Sequence, residues 1–189
     1  HRCGIETAGG HTGLTIRNND IHSNSGNPGD TPYLKYGMGI LMIRGSSDKV
    51  DCNGYGPDNV LIQNNNIFNN EKHGIYMGPK NNQVEIIENH IYDNGDDAVQ
   101  VDLIGNYWNP DYEPDPGPYT CLAGSNDVIV NYNNIYGNSN GIRVLGDPSN
   151  GFILDGECNW YGTPFGPTHP SNPAGSGDSV SDNVDYIPW

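Results

Sequence analysis

Along much of the chain apolar residues alternate with polar ones, as in Leu14/Ile16, Val60/Ile62, Val84/Ile86 and Val128/Val130. A two-residue period is that of a strand with one buried face. The pairs lie inside a recurring phrase: GLTIRNNDIHSN (13–24), NVLIQNNNIFNN (59–70), QVEIIENHIYDN (83–94) and DVIVNYNNIYGN (127–138), with a degenerate copy GFILDGECNWYG (151–162). A second motif separates them: CGIET (3–7), GILMI (39–43), GIYMG (74–78), AVQVD (98–102) and GIRVL (141–145). Ile62 to Ile86 and Ile75 to Val99 are both 24 residues apart, which sets the period. Each period holds about three short strands, and so small a unit buries its apolar face only by stacking on its neighbours. The pattern predicts an all-β solenoid, a right-handed parallel β-helix of about five coils rising ~4.8 Å each.

Composition agrees. Gly (26) and Asn (27) together make 53 of 189 residues, which penalises helices and favours regular corners. Asn19, Asn65, Asn89 and Asn133 fall at one corner, and Asn24, Asn70, Asn94 and Asn138 at another. Stacked side-chain amides can hydrogen-bond along such a column, and Asn tolerates the left-handed backbone a sharp corner needs. The net charge of −15 opposes binding to nucleic acid or an anionic membrane, since no basic stripe exists to displace counterions. The sequence contains no apolar run of ~18 residues and no charged-then-apolar leader, so neither membrane insertion nor a signal peptide is expected within it. Acidity and four cysteines fit a secreted, extracellular or cell-surface protein.

Three stretches exceed the period: 25–37, 44–58 and 103–126. Insertions in a solenoid are loops, and loops carry function. All three flank the GI-type strands and are expected to wall a groove over that sheet. The later two leave the coil at equivalent points two coils apart and each holds one cysteine, which predicts a Cys52–Cys121 disulfide. Cys3 and Cys158 sit about four coils apart, beyond the reach of a bridge. Residues 1–162 are expected to form the coils and 163–189 a tail that caps the last one.

The phrase repeat resembles the pectate-lyase-like superfamily of right-handed parallel β-helix proteins over residues 3–162. The ending from Asn159 to Trp189, with its Gly-Pro and His-Pro loop and final Pro-Trp, is similar to the tail of secreted PbH1-repeat proteins of the NosD-like group. By contrast the N-terminus opens inside a coil, which points to neighbouring β-helix coils or subunits at that end.

Counting outward positions on the GI strands gives a column Glu6, Leu41, Tyr76, Gln100, Arg143. At the preceding corner His73 should neighbour Asp97, and Lys72 should neighbour Asp96. A carboxylate beside an imidazole can orient it for proton transfer, which makes His73, Asp96, Asp97 and Arg143 the candidate catalytic set; the alternative is a solvated charge ladder. Gly95-Asp96-Asp97 resembles the Gly-Asp-Asp element of polygalacturonase-type glycoside hydrolases, and His73-Gly74-Ile75 their His-Gly element. Here the order is reversed and no Asn-Thr-Asp precedes Asp96, whereas hydrolysis needs two carboxylates. Lyase chemistry of the resembling family would need a basic residue opposite Ca²⁺, and only Arg143 and Lys72 are placed for that.

Tyr76 and Gln100 on the GI sheet, with Tyr107, Trp108 and Tyr112 in the longest loop, are the candidate sugar-binding residues; with Tyr119 that loop carries four aromatics, for which a loop has no structural need. Asp111, Glu113 and Asp115 crowd the same loop and would suit Ca²⁺, as would Asp178, Asp182 and Asp185 in the tail. A further outward column, His22, Phe68, Tyr92, Tyr136 and then Trp160 or Tyr161, reads either as mutually supporting rings or as a sugar platform. Two functions follow. One is a secreted carbohydrate-active or carbohydrate-binding β-helix holding a polysaccharide or cell-surface glycan over the GI sheet, as a polysaccharide lyase or glycoside hydrolase if it is an enzyme. The other is a non-catalytic structural or adhesive module of a stalk or filament.

Overall fold

The computed structural model describes residues 3–26, 37–43, 56–78, 80–102, 105–106, 120–121, 126–146 and 152–189. The GI segments form β1 (Cys3–Ala8), β4 (Met38–Ile43), β7 (Ile75–Met77), β10 (Asp97–Asp102) and β15 (Asn140–Leu145), paired in that order in one parallel sheet. Except for the degenerate fifth, which supplies one, each phrase supplies two further strands. Its first half gives β2 (Thr15–Arg17), β5 (Asp58–Gln63), β8 (Asn82–Ile87), β13 (Asn126–Asn131) and β16 (Leu154–Asp155), and β17 (Val184–Asp185) from the tail closes this second sheet. Its second half gives β3 (Asp20–His22), β6 (Asn66–Phe68), β9 (His90–Tyr92) and β14 (Asn134–Tyr136) in a third. Two short strands, β11 (Gly105–Asn106) and β12 (Thr120–Cys121), pair antiparallel inside the longest insertion. The expected three strands per period and their parallel stacking are thus observed.

Alternation within each strand becomes inside and outside. Ile62, Ile86 and Val130 stack in register and have no exposure, as do Ile67, Ile91 and Ile135 in the third sheet. Between them Leu61, Glu85 and Ile129 face outward. The tail seals the C-terminal end: Val180 bridges to Ile142, and Val184 and Tyr186 are buried against the core.

Both asparagine columns form continuous ladders. Asn19 Nδ2 donates to Asn65 Oδ1 at 3.0 Å, Asn65 to Asn89 at 3.0 Å, Asn89 to Asn133 at 3.0 Å and Asn133 to Asn159 at 3.0 Å. The second ladder runs from Asn24 through Asn70 and Asn94 to Asn138 at 2.8–2.9 Å, and Asn138 then donates to the Asp178 carboxylate at 2.9 Å. The left-handed backbone expected at the ladder residues lies instead one residue earlier, at Asn18, Asn64, Glu88, Tyr132 and Cys158 in one column and Ser23, Asn69, Asp93 and Gly137 in the other. A glutamate, a tyrosine and a cysteine accept positive φ because the amides on either side are held by the ladder, at a local cost of about 1–2 kcal/mol each.

Two tail expectations are corrected. Asp178, Asp182 and Asp185 do not gather around a cation site: Asp178 ends the second ladder, Asp182 accepts from His169 at 3.1 Å, and Asp185 lies in β17. Neither Trp160 nor Tyr161 continues the aromatic column. Trp160 pairs with Asn134, so Tyr161 follows Ile135 into the core and Gly162 takes the place over Tyr136.

Candidate functional site

The outward GI column is in register: Glu6 pairs with Leu41, Leu41 with Tyr76, Tyr76 with Gln100, and Gln100 with Arg143. His73 and Asp97 are neighbours as expected, with Nδ1 3.1 Å from Oδ2. Unlike an edge position open to substrate, both side chains have no exposed surface. Arg143 Nη2 reaches the same Asp97 oxygen at 2.9 Å and donates to Gln100 Oε1 at 2.7 Å. The other Asp97 oxygen accepts from Asn140 Nδ2 at 2.7 Å, and Asn140 Oδ1 accepts from Ser179 Oγ at 2.8 Å.

One buried carboxylate therefore organises residues of three successive coils and is tied through Asn140 to the tail. Burial acts to raise the Asp97 pKa. The His73 hydrogen bond and charge, the Asn140 amide and the Arg143 guanidinium outweigh it and hold the carboxyl below the usual aspartate range. The Asp97 main-chain N–H also approaches His73 Nδ1, at 3.4 Å, and His73 Nε2 meets no hydrogen-bond partner among the described residues. Asn140 occupies the corner column of Asp97 and Ser179 comes from the tail; sequence reasoning gave neither a role.

Asp96 joins this group by proximity. Its main-chain N–H donates to Lys72 O at 3.1 Å, so the predicted Lys72–Asp96 neighbourhood is made through the backbone. His73, Asp96 and Asp97 each offer one ligand atom, all within 4.8 Å of one another, and are the set among the described residues that could hold a cation. Arg143 already supplies positive charge to Asp97 there. On the solvent side of the network, Tyr76 is half-buried with its ring 5.7 Å from that of His73, Gln100 is buried, and the Arg143 side chain is 38% exposed. Tyr107, Trp108, Tyr112, Asp111, Glu113, Asp115 and Cys52 lie outside the described residues, as does the side chain of Cys121. Cys3 and Cys158 are not bridged to each other.

A family model described as the right handed beta helix region matches residues 1–159. The chain belongs to this family. No curated protein and no solved structure matches this β-helix. Membership fixes the architecture; function has to be argued from the site.

Elsewhere on the β-helix, the rings of His22, Phe68, Tyr92 and Tyr136 stack at 4.8, 5.0 and 5.1 Å with interplanar angles of 17°, 2° and 8°. Apart from the outer face of His22, which ends the column and is exposed, the faces are turned to one another, so the column supports itself rather than forming a flat platform along its length. A shallow groove of about 650 Å³ lies over the outer face of the second sheet, lined by Thr15, Leu61, Glu85 and Ile129 among others.

Proposed function

We propose that this right-handed β-helix is a secreted or cell-surface protein that binds a glycan against the outer face of its GI sheet, with Arg143 and Tyr76 as the contacts. The observation that carries the reading is the state of Arg143: a guanidinium held in place by Asp97 and Gln100, yet more than one third open to solvent. A pre-positioned fork of N–H groups matches a carboxylate, and supplies local attraction on a chain of net charge −15. Tyr76, two coils away, offers an apolar ring to a neighbouring sugar. Tyr107, Trp108 and Tyr112 would form the wall, and Asp111, Glu113 and Asp115 would take Ca²⁺ when a uronate needs bridging. His73 and Asp97, sealed from solvent, act by positioning Arg143, so the reading is binding rather than hydrolysis or elimination.

A second reading, a non-catalytic structural or adhesive module of a stalk or filament, is favoured by the two unbroken ladders and by the sealed His73–Asp97 pair. The test is titration of wild type, Arg143→Ala and Tyr76→Ala with acidic and neutral oligosaccharides, with and without Ca²⁺, beside reducing-sugar and unsaturated-product assays. Acidic oligosaccharides should bind wild type, and Arg143→Ala should weaken them about tenfold or more. Absence of binding, or equal binding by all three proteins, replaces this reading with the structural one; product release shows turnover and refutes the positioning role.

A further inference from the structure

The ladders have a direction. In each rung the Oδ1 that accepts the side-chain amide from the previous coil also accepts that asparagine's main-chain N–H: Asn19 N to Asn65 at 3.0 Å, Asn65 N to Asn89 at 3.0 Å, Asn89 N to Asn133 at 2.9 Å. The second ladder repeats this, with Asn24 N to Asn70 at 3.3 Å, Asn70 N to Asn94 at 3.2 Å and Asn94 N to Asn138 at 3.0 Å. A main-chain N–H cannot accept, so every oxygen in the columns must point toward the first coil and every ladder donation toward the last.

The two ends differ as a result. At the C-terminal end the second ladder stops on the acceptor-only carboxylate of Asp178, which also takes the N–H of Asn138 at 2.9 Å and of Gly137 at 3.0 Å. The first stops at Asn159, whose amide donates to Val130 O and Gly156 O. Strand β17 and the Val180 bridge close the sheets above them. At the first coil, no described residue donates to Oδ1 of Asn19 or Asn24, though each equivalent oxygen in the coils above takes two N–H groups. Strands β1, β2 and β3 each have one unpaired edge in their sheets. Ile16 and Ile21 keep 5% exposure where Ile62 and Ile67 have none.

We infer that the first-coil face is a docking surface for one kind of partner: a further parallel β-helical coil carrying an asparagine at each of the two ladder corners, donating to Asn19 Oδ1 and Asn24 Oδ1. A second copy of this chain does not fit. Head to tail, the incoming end presents the Asp178 carboxylate and the already committed Asn159 amide. Head to head, acceptor oxygens would face acceptor oxygens. The surface thus selects a continuing coil over self-association through hydrogen-bond polarity alone.

The test joins a copy of this chain's own residues 73–96, which carry ladder donors as Asn89 and Asn94, directly before Cys3, where the register places the end of such a coil. A matched protein has both asparagines of the added copy replaced by alanine, which leaves the parent coils intact. Hydrogen exchange over residues 15–24 and the urea midpoint are measured for both and for the unextended chain, whose mass is measured by sedimentation equilibrium. The asparagine-bearing coil should slow exchange and raise the midpoint, the alanine-bearing coil should do neither, and the unextended chain should be monomeric. Equal protection by both coils, protection by neither, or a dimer of the unextended chain sealed through residues 15–24 would overturn the inference.

Discussion

Replacing Asn89 by alanine tests the ladder as the element that holds the coils together. Asn89 has no exposure and makes seven hydrogen bonds through its amide and main chain. Its Oδ1 accepts the N–H and the side-chain amide of Asn65, both at 3.0 Å; its Nδ2 donates to Ile62 O at 2.9 Å, Ile87 O at 3.0 Å and Asn133 Oδ1 at 3.0 Å. Alanine leaves two buried main-chain groups, the Asn65 N–H and the Ile62 carbonyl, without their ladder partner, while the bond from the residue-89 N–H to Asn133 survives. At about 1–3 kcal/mol for each orphaned group, the loss should be about 4 kcal/mol. With a urea slope of about 2 kcal/mol/M, the midpoint falls by about 2 M. Asn66→Ala, the same chemical change on the exposed outside of an adjoining coil, should stay within about 0.5 kcal/mol. Equilibrium urea denaturation of the three proteins decides it. A loss below about 1 kcal/mol for Asn89→Ala would show that the ladder is ornament and that the apolar stack alone holds the register.

The inward and outward assignment predicts that Ile86→Ala costs about 2–5 kcal/mol by leaving a cavity, whereas Glu85→Ala stays within about 0.5 kcal/mol; similar denaturation midpoints would refute it. Asp97 and Asp178 should show opposite pH dependence. Asp97 is lowered in the fold, so its contribution is present above the unfolded value near ~3.9 and is lost as pH falls through the folded one; the stability deficit of Asp97→Asn should shrink on acidification. Asp178 is raised by burial, against the hydrogen bonds from Asn138 and Gly137 and with the Asp93 charge adding to the rise. Its contribution is full below ~3.9 and lost as pH rises through the folded value, so Asp178→Asn should gain on wild type as pH increases above ~3.9. Parallel slopes for the two variants would refute both assignments. Mass spectrometry of a non-reduced digest should recover a Cys52–Cys121 linked peptide, and free thiols at both positions would remove that pairing.

The repeats were readable in the sequence because the ladder asparagines hold the same places within each phrase, so Asn65, Asn89 and Asn133 announce their own neighbours although insertions stretch their separation from 24 to 44 residues. What was misread lies where the period gives no purchase. The left-handed residue was assigned one position late: φ at Glu88 or Tyr132 is imposed by the bonds around it, and residue type carries no trace of that. In the degenerate last phrase the aromatics suggested a register that Asn159, 26 residues after Asn133, overrules. Asp178 looked like a cation ligand because the tail has no second copy to align it with Asn138. The His73–Asp97 pairing follows from strand counting, but its burial does not: alternation says which way a side chain points, not what lies above it.

The common direction of the amides has an electrostatic consequence. Side-chain dipoles aligned head to tail through four or five coils add as peptide dipoles do in an α-helix, with the negative pole at the first coil and the positive pole at the last. Asp178 places its carboxylate at the positive pole, as an acidic residue caps a helix N-terminus, and the field of the column offsets part of the cost of burying that charge. A cation brought near Asn19 and Asn24 would meet the opposite pole. The solenoid therefore has a polarity along its axis that follows from amide orientation and is independent of where its charged residues fall.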